Sequence, residues 1–255
     1  MLNSIQLCIN EPLETKLGRK RKINQSTCNK DYTCLKGFCP SFVSVDAQLQ
    51  ARTTSHKIDG LPDPKHKVSD GVSNIILTGI GGTGVLTVSA ITAMAAHYEG
   101  KESTILDMTG LAQKGGAVWS HIKIYEKNVK TFSHKIAPAS ANLFLACDAV
   151  VGTKPEIQEV LSDKKTYSII NSDTIPVADF VTNRDLDFKD DEVLKVIDKT
   201  TKDIDITVPA IKIAENLCGD AIAANIMMLG AAYQLGHIPL TVSYTHLTLP
   251  TTLSV

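Results

Sequence analysis

The stretch Asn74-Ile75-Ile76-Leu77-Thr78-Gly79-Ile80-Gly81-Gly82-Thr83-Gly84-Val85-Leu86-Thr87-Val88 decides the fold. Its first five residues form an apolar run of the length of a buried strand. Gly79, Gly81 and Gly84 then stand in G-x-G-x-x-G order, and Val85 to Ala96 read as a helix packed closely on a sheet. Glycines there let the backbone turn tightly and approach a phosphate, whose charge the helix N-terminus attracts. A second strand over 103–107 ends in Asp107, 23 residues after Gly84, where a dinucleotide site places an acid on the ribose hydroxyls. An NAD-dependent oxidoreductase is therefore one expectation. A turn that only packs a helix tightly, with no ligand, is the other.

Outward from that unit, Gln113-Lys114-Gly115-Gly116 forms a small-residue loop leading into a strand at Val118–Ile124. Adjacent glycines after an amide and a cation suit the close approach of an anion or another chain, and equally an ordinary surface turn. Further strands are expected over 142–147, 166–171 and 204–208, and helices over 154–163 and 190–199. Alternating strands and helices predict an α/β sheet with helices on both faces. Cys147 sits in an apolar run and reads as a buried thiol, and Met227, Met228 and Leu229 as core. His97, His121 and His134 have no ligand or triad spacing and read as structural. No H-E-x-x-H or G-x-S-x-G occurs, which leaves a hydrolase little support.

The 255 residues are 43% hydrophobic and 21% charged, with a formal net charge of -1, as in an ordinary globular chain. The balance removes any broad argument for nucleic-acid binding. No long apolar run predicts a membrane span, and no signal peptide is seen, so a cytoplasmic location is expected. The average hides an asymmetry. Residues 1–70 hold 11 Lys/Arg against 7 Asp/Glu, and residues 71–255 hold 15 against 20.

Four of the six cysteines, Cys8, Cys28, Cys34 and Cys39, fall in the first forty residues. That region shows little helical or strand periodicity and too few large apolar side chains to close a core without a cross-link or metal. With no secretion signal, a metal is the better reading than disulfides. Zinc spacing fits only the gap between Cys34 and Cys39, while Cys39-Pro40 resembles the Cys-Pro closing a bacterial ferredoxin motif. Iron–sulfur, zinc and unliganded thiols all remain open on spacing. The basic run Arg19-Lys20-Arg21-Lys22 reads as a solvated face.

Two longer segments carry a resemblance. Thr109 to Ile124, behind the Gly79–Gly84 turn, is similar to the gamma-type domain of 2-oxoacid:ferredoxin oxidoreductases. Gly18 to Val43, with its three cysteines, resembles the ferredoxin-like segment of the long, fused indolepyruvate ferredoxin oxidoreductases, and the two segments occur in that family's order. Gly219–Asn225 through Gly236–Leu240 is similar to the helix ending the gamma domain. The resemblance implies a Rossmann-like layered α/β domain at 73–242, an iron–sulfur fragment at 1–45 and a linker at 46–72. A Thr-rich tail at 243–255 falls outside it and reads as non-native.

The resemblance also implies oxidative decarboxylation of an aryl 2-oxoacid to its acyl-CoA, with electrons passing through clusters to ferredoxin. Cys8, Cys28, Cys34 and Cys39 would hold clusters of the 4Fe-4S type. Gly79, Gly81, Gly82, Thr83, Gly84, Gln113, Lys114, Gly115 and Gly116 would face a phosphate-bearing cofactor, coenzyme A before NAD. Thiamine diphosphate and magnesium are implied for the parent enzyme, but no G-D-G thiamine motif occurs in this sequence. The chain thus reads as an internal piece, inactive alone, with thiamine-binding domains, ferredoxin and further copies as partners. An NAD oxidoreductase and a non-catalytic zinc-plus-α/β interaction module stand as alternatives.

Overall fold

The structure is a computed structural model that describes residues 10–23, 62–67, 71–110, 116–129, 133–173 and 190–240. A two-stranded antiparallel hairpin, β1 (Asn10–Thr15) and β2 (Gly18–Ile23), comes first. Its six-stranded successor contains β3 (Val72–Ile80), β4 (Glu102–Thr109), β5 (Ala117–Tyr125), β6 (Leu143–Ala146), β7 (Tyr167–Asn171) and β8 (Asp203–Val208). Among the described residues six α-helices accompany them: α1 (Val85–Tyr98), α2 (Ala149–Gly152), α3 (Pro155–Gln158), α4 (Asp190–Thr200), α5 (Ala210–Cys218) and α6 (Ala224–Gln234).

The large sheet runs in the order β4-β5-β3-β6-β7-β8. From β3 to β8 the strands are parallel, and β5 is antiparallel to both its neighbours. Side chains alternate across a strand, so consecutive apolar residues serve two cores. Ile75, Leu77, Leu143, Leu145 and Ile169 meet α1, α5 and α6 on one face. Ile76, Phe144, Ala146 and Ile170 meet Ile136, Ile157, Val160 and Ile197 on the other. The layered α/β expectation holds, with helices on both faces.

Three elements differ from the sequence expectation. The segment expected to lack strand periodicity holds the β1–β2 hairpin. Its register sets Glu14 opposite Arg19, and Arg19 Nε donates to Glu14 Oε1. Opposite charges across the pair support the hairpin without an apolar face. The helix expected over 154–163 is the single turn α3, preceded by α2, which Asp148 caps through a bond from Val151 N–H at 2.9 Å. Helix α5 had no counterpart in the reading.

His121 lies on β5 with only 2% of its surface exposed, and its Nδ1 accepts from Ile136 N–H at 3.4 Å. Burial, aided by Lys135 and Lys123, lowers its pKa to about 4. The ring is therefore neutral in the folded chain at pH values where the unfolded chain protonates it. Its share of stability is complete above about 6.5 and lost as pH falls toward 4, on the order of 3 kcal/mol. Unfolding free energies of the native chain should fall over that window, and His121→Gln should flatten the slope. Equal slopes in both proteins would rule the histidine out.

Candidate functional site

The chain leaves β3 through Gly81-Gly82-Thr83-Gly84 and enters α1 at once. Two glycines have left-handed backbones, Gly82 at φ +90° and Gly84 at φ +89°, which side chains resist. Gly79 is needed for a different reason. A Cβ there would stand 2.4 Å from Val85 Cγ2, so only glycine lets the first turn of α1 sit on the strand end.

The turn is tied on three sides. Gly81 N–H donates to Gly116 O at 2.8 Å, bringing the two glycine-bearing loops together. Thr83 Oγ1 donates to Ile80 O at 2.7 Å. From the N-terminal turn of α6, Asn225 Nδ2 donates to Thr83 O at 2.7 Å. Of the site residues expected from sequence, Gly79, Gly81, Gly82, Thr83, Gly84 and Gly116 are thus brought together. Gln113, Lys114, Gly115 and the cysteines Cys8, Cys28, Cys34 and Cys39 lie outside the described residues.

Topology places this turn where ligands gather in α/β proteins. From β3 the chain moves through α1 to one side of the sheet, and from β6 it moves to the other. The ends of β3 and β6 are therefore the switch point. Thr78 fastens them: its carbonyl accepts from Cys147 N–H and Asp148 N–H, and its hydroxyl donates to Asp148 O. Asn171 extends the tie, donating to Cys147 O at 3.1 Å and accepting from Ala210 N–H at 3.0 Å. A small cleft beside the turn is lined by Thr83, Cys147, Asn171, Ile211, Ile222 and Asn225.

The electrostatics favour an anion. No side chain caps α1, and its first turn carries no acid. The helix dipole and its free N–H groups are left to an outside acceptor. A Cβ added at Gly82 or Gly84 would meet nothing within 4 Å, so the turn is open above. Cys147 is buried, and burial with the nearby Asp148 pushes its thiol pKa up, so it is no thiolate at neutral pH. Among the described residues no group of His, Cys, Asp and Glu is arranged to hold a metal. No helix among them is long and apolar enough to cross a membrane.

The NAD expectation loses its anchor. Asp107 lies in β4, two residues before its end at Thr109, and β5 is inserted between β4 and β3. The acid is displaced by two strand spacings, roughly 10 Å. Its Oδ1 accepts from Ser89 Oγ at 3.3 Å and from Ser120 Oγ, which joins α1, β4 and β5. Asn225 and Asn171, which sequence reasoning missed as site residues, are single amides far from the glycine turn in the chain, and no local pattern marks them.

These features define a layered α/β domain with an anion-ready glycine turn at its switch point. The sequence profile described as pyruvate ferredoxin/flavodoxin oxidoreductase matches residues 74–249, and the chain belongs to that family. The indolepyruvate oxidoreductase subunit IorB of Archaeoglobus fulgidus is 27% identical over 172 residues, covering 67% of this chain and 81% of that one. The IorB subunit of Thermococcus kodakarensis is 22% identical, covering 66% and 80%. A solved 2-oxoglutarate:ferredoxin oxidoreductase from Magnetococcus marinus, with 2-oxoglutarate, coenzyme A and succinyl-CoA bound, shares the fold. Its TM-score is 0.50 at 14% identity, over 70% of this chain and 27% of that one.

The close contact at Gly79 generates a test. Gly79→Ala should cost about 1–3 kcal/mol by overpacking. Adding Val85→Ala should recover part of that loss in a double-mutant cycle on thermal unfolding. Strict additivity would show that Val85 does not impose the glycine.

Proposed function

We propose that the chain is the gamma-type part of a 2-oxoacid:ferredoxin oxidoreductase acting on an aryl 2-oxoacid of the indolepyruvate kind. The observation that carries the reading is the family match across residues 74–249, together with relatives named for indolepyruvate. In this reading the substrate loses its carboxyl group as carbon dioxide, the acyl group goes to coenzyme A, and the electrons leave through iron–sulfur clusters to ferredoxin. Cys8, Cys28, Cys34 and Cys39 supply cluster thiolates, soft ligands suited to iron and sulfide. Thiamine diphosphate and magnesium supply the carbanion chemistry from other domains of the assembly.

The glycine turn has a defined task in this scheme. Phosphates of coenzyme A lie against Gly82, Gly84 and the first N–H groups of α1, with the 113–116 loop beside them. Glycines without Cβ atoms, an uncapped helix start and a first helical turn with no acid fit that group. Coenzyme A is bound to a solved protein that contains this fold over 27% of its length, which supports the assignment by analogy.

Leu86, in the first turn of α1 and 43% exposed, provides a variant whose two effects have opposite signs. Leu86→Glu should keep or slightly raise stability, because an acid suits a helix start. It should weaken coenzyme A binding to the full chain about tenfold by repelling phosphate, read by calorimetry. Unchanged affinity would remove the turn from the cofactor site. Separately, anaerobically purified chain should contain iron and labile sulfide and bleach with dithionite. Zinc without iron would instead support the metal-stapled interaction module.

A further inference from the structure

Residues 62–67 are held against the α/β domain by contacts that its own core does not require. Gln234 Nε2 donates to Pro62 O at 2.8 Å, and Lys67 N–H donates to Gly236 O at 2.7 Å. Gly236 is left-handed at φ +84°, and a Cβ there would stand 2.0 Å from Lys65 O and 2.9 Å from the Lys65 carbonyl carbon. Backbone of the strap fills the space that any other residue at 236 would need. Such an approach cannot be relieved by turning a side chain.

Polar and aromatic groups close the other side. Lys67 Nζ lies 3.3 Å from Asp205 Oδ2 and 5.3 Å above the Tyr167 ring. His237 Nε2 bonds the same Asp205 carboxylate, and its ring centre is 5.0 Å from that of Tyr167. Lys202 Nζ donates to the Tyr167 hydroxyl at 2.6 Å. Asp205 is therefore the shared acceptor of a cluster built from β8, the end of α6 and the strap. Gly236, His237, Asp205 and Tyr167 lie within the family match, whereas the strap precedes it.

We infer that this surface is a docking groove whose occupant is the chain's own 62–67 segment, which it holds against the α/β domain. The groove lies at the start of β7 and the end of α6, the far end of the parallel strands from the glycine turn. Residues 62–67 are therefore not a free linker, although the sequence expectation placed them in one.

The test is hydrogen exchange and trypsin cleavage on the full chain, with iron measured in parallel. The amide at position 67 should be protected, and cleavage after Lys65 slow. The paired surface change Lys67→Ala with Gln234→Ala should speed exchange there ~10-fold, as expected for losing two polar contacts. Gly236→Ala should speed it further, while amides of β3 and β6 keep native protection. If Gly236→Ala does not fold, the paired variant alone decides. Free exchange at position 67 in the native chain, or no change in the paired variant, would overturn the docking. A protected strap in iron-free protein would instead sink the cluster reading and leave the docking intact.

Discussion

The close approach of Val85 to Gly79 sets the geometry of the whole site. Central strand β3 ends where a methyl group would collide with the first residue of α1. The helix therefore starts directly over the strand end, and its N-terminus points out of the sheet at the switch point. Everything that meets the turn depends on that placement. Gly116 reaches it from the start of β5, and Asn225 reaches it from α6. Two distant pieces of chain converge on one uncapped helix start, held by backbone and amide bonds. Among the described residues the turn thus offers an anion the backbone N–H groups of a helix start and not a charged side chain.

The antiparallel strand β5 separates this domain from a dinucleotide-binding one that shares its opening motif. Local sequence through β3, the turn and α1 fits either. Insertion of β5 between β3 and β4 moves Asp107 away from the turn and uses its carboxylate to receive Ser89 and Ser120 hydroxyls. The same acid is thus a structural acceptor here. Motif spacing along the chain was preserved while the spatial relation was not, because strand order is not written in the spacing.

The legible parts of the fold were those in which one segment carries its own evidence. β3, β6 and β7 are buried on both faces, so each carries consecutive apolar residues, Ile75–Leu77, Leu143–Ala146 and Ile169–Ile170, and α1 contains no Asp, Glu, Lys or Arg to confuse its reading. Helix α5 escaped because its nine residues begin directly after β8 with Pro209 at the cap, leaving no separating loop. The hairpin escaped because its strands are matched by charge, Glu14 with Arg19, and not by alternating hydrophobicity. In the site, the glycines were legible because their roles are local. Thr78, Asn171 and Asn225 were not, because each matters only through a partner brought near by the fold. Gly236 belongs to the same class, since nothing in its own neighbourhood reveals that Lys65 will lie against it.

The central claim is that this chain serves a ferredoxin-linked 2-oxoacid oxidoreductase through a domain that receives coenzyme A and not NAD. The most direct measurement is the activity of the assembly purified from its native host on a tag carried by this chain. Indolepyruvate should drive reduction of ferredoxin only when coenzyme A is present, with the acyl-CoA formed in proportion. Reduction of NAD in place of ferredoxin, or turnover indifferent to coenzyme A, would contradict the account.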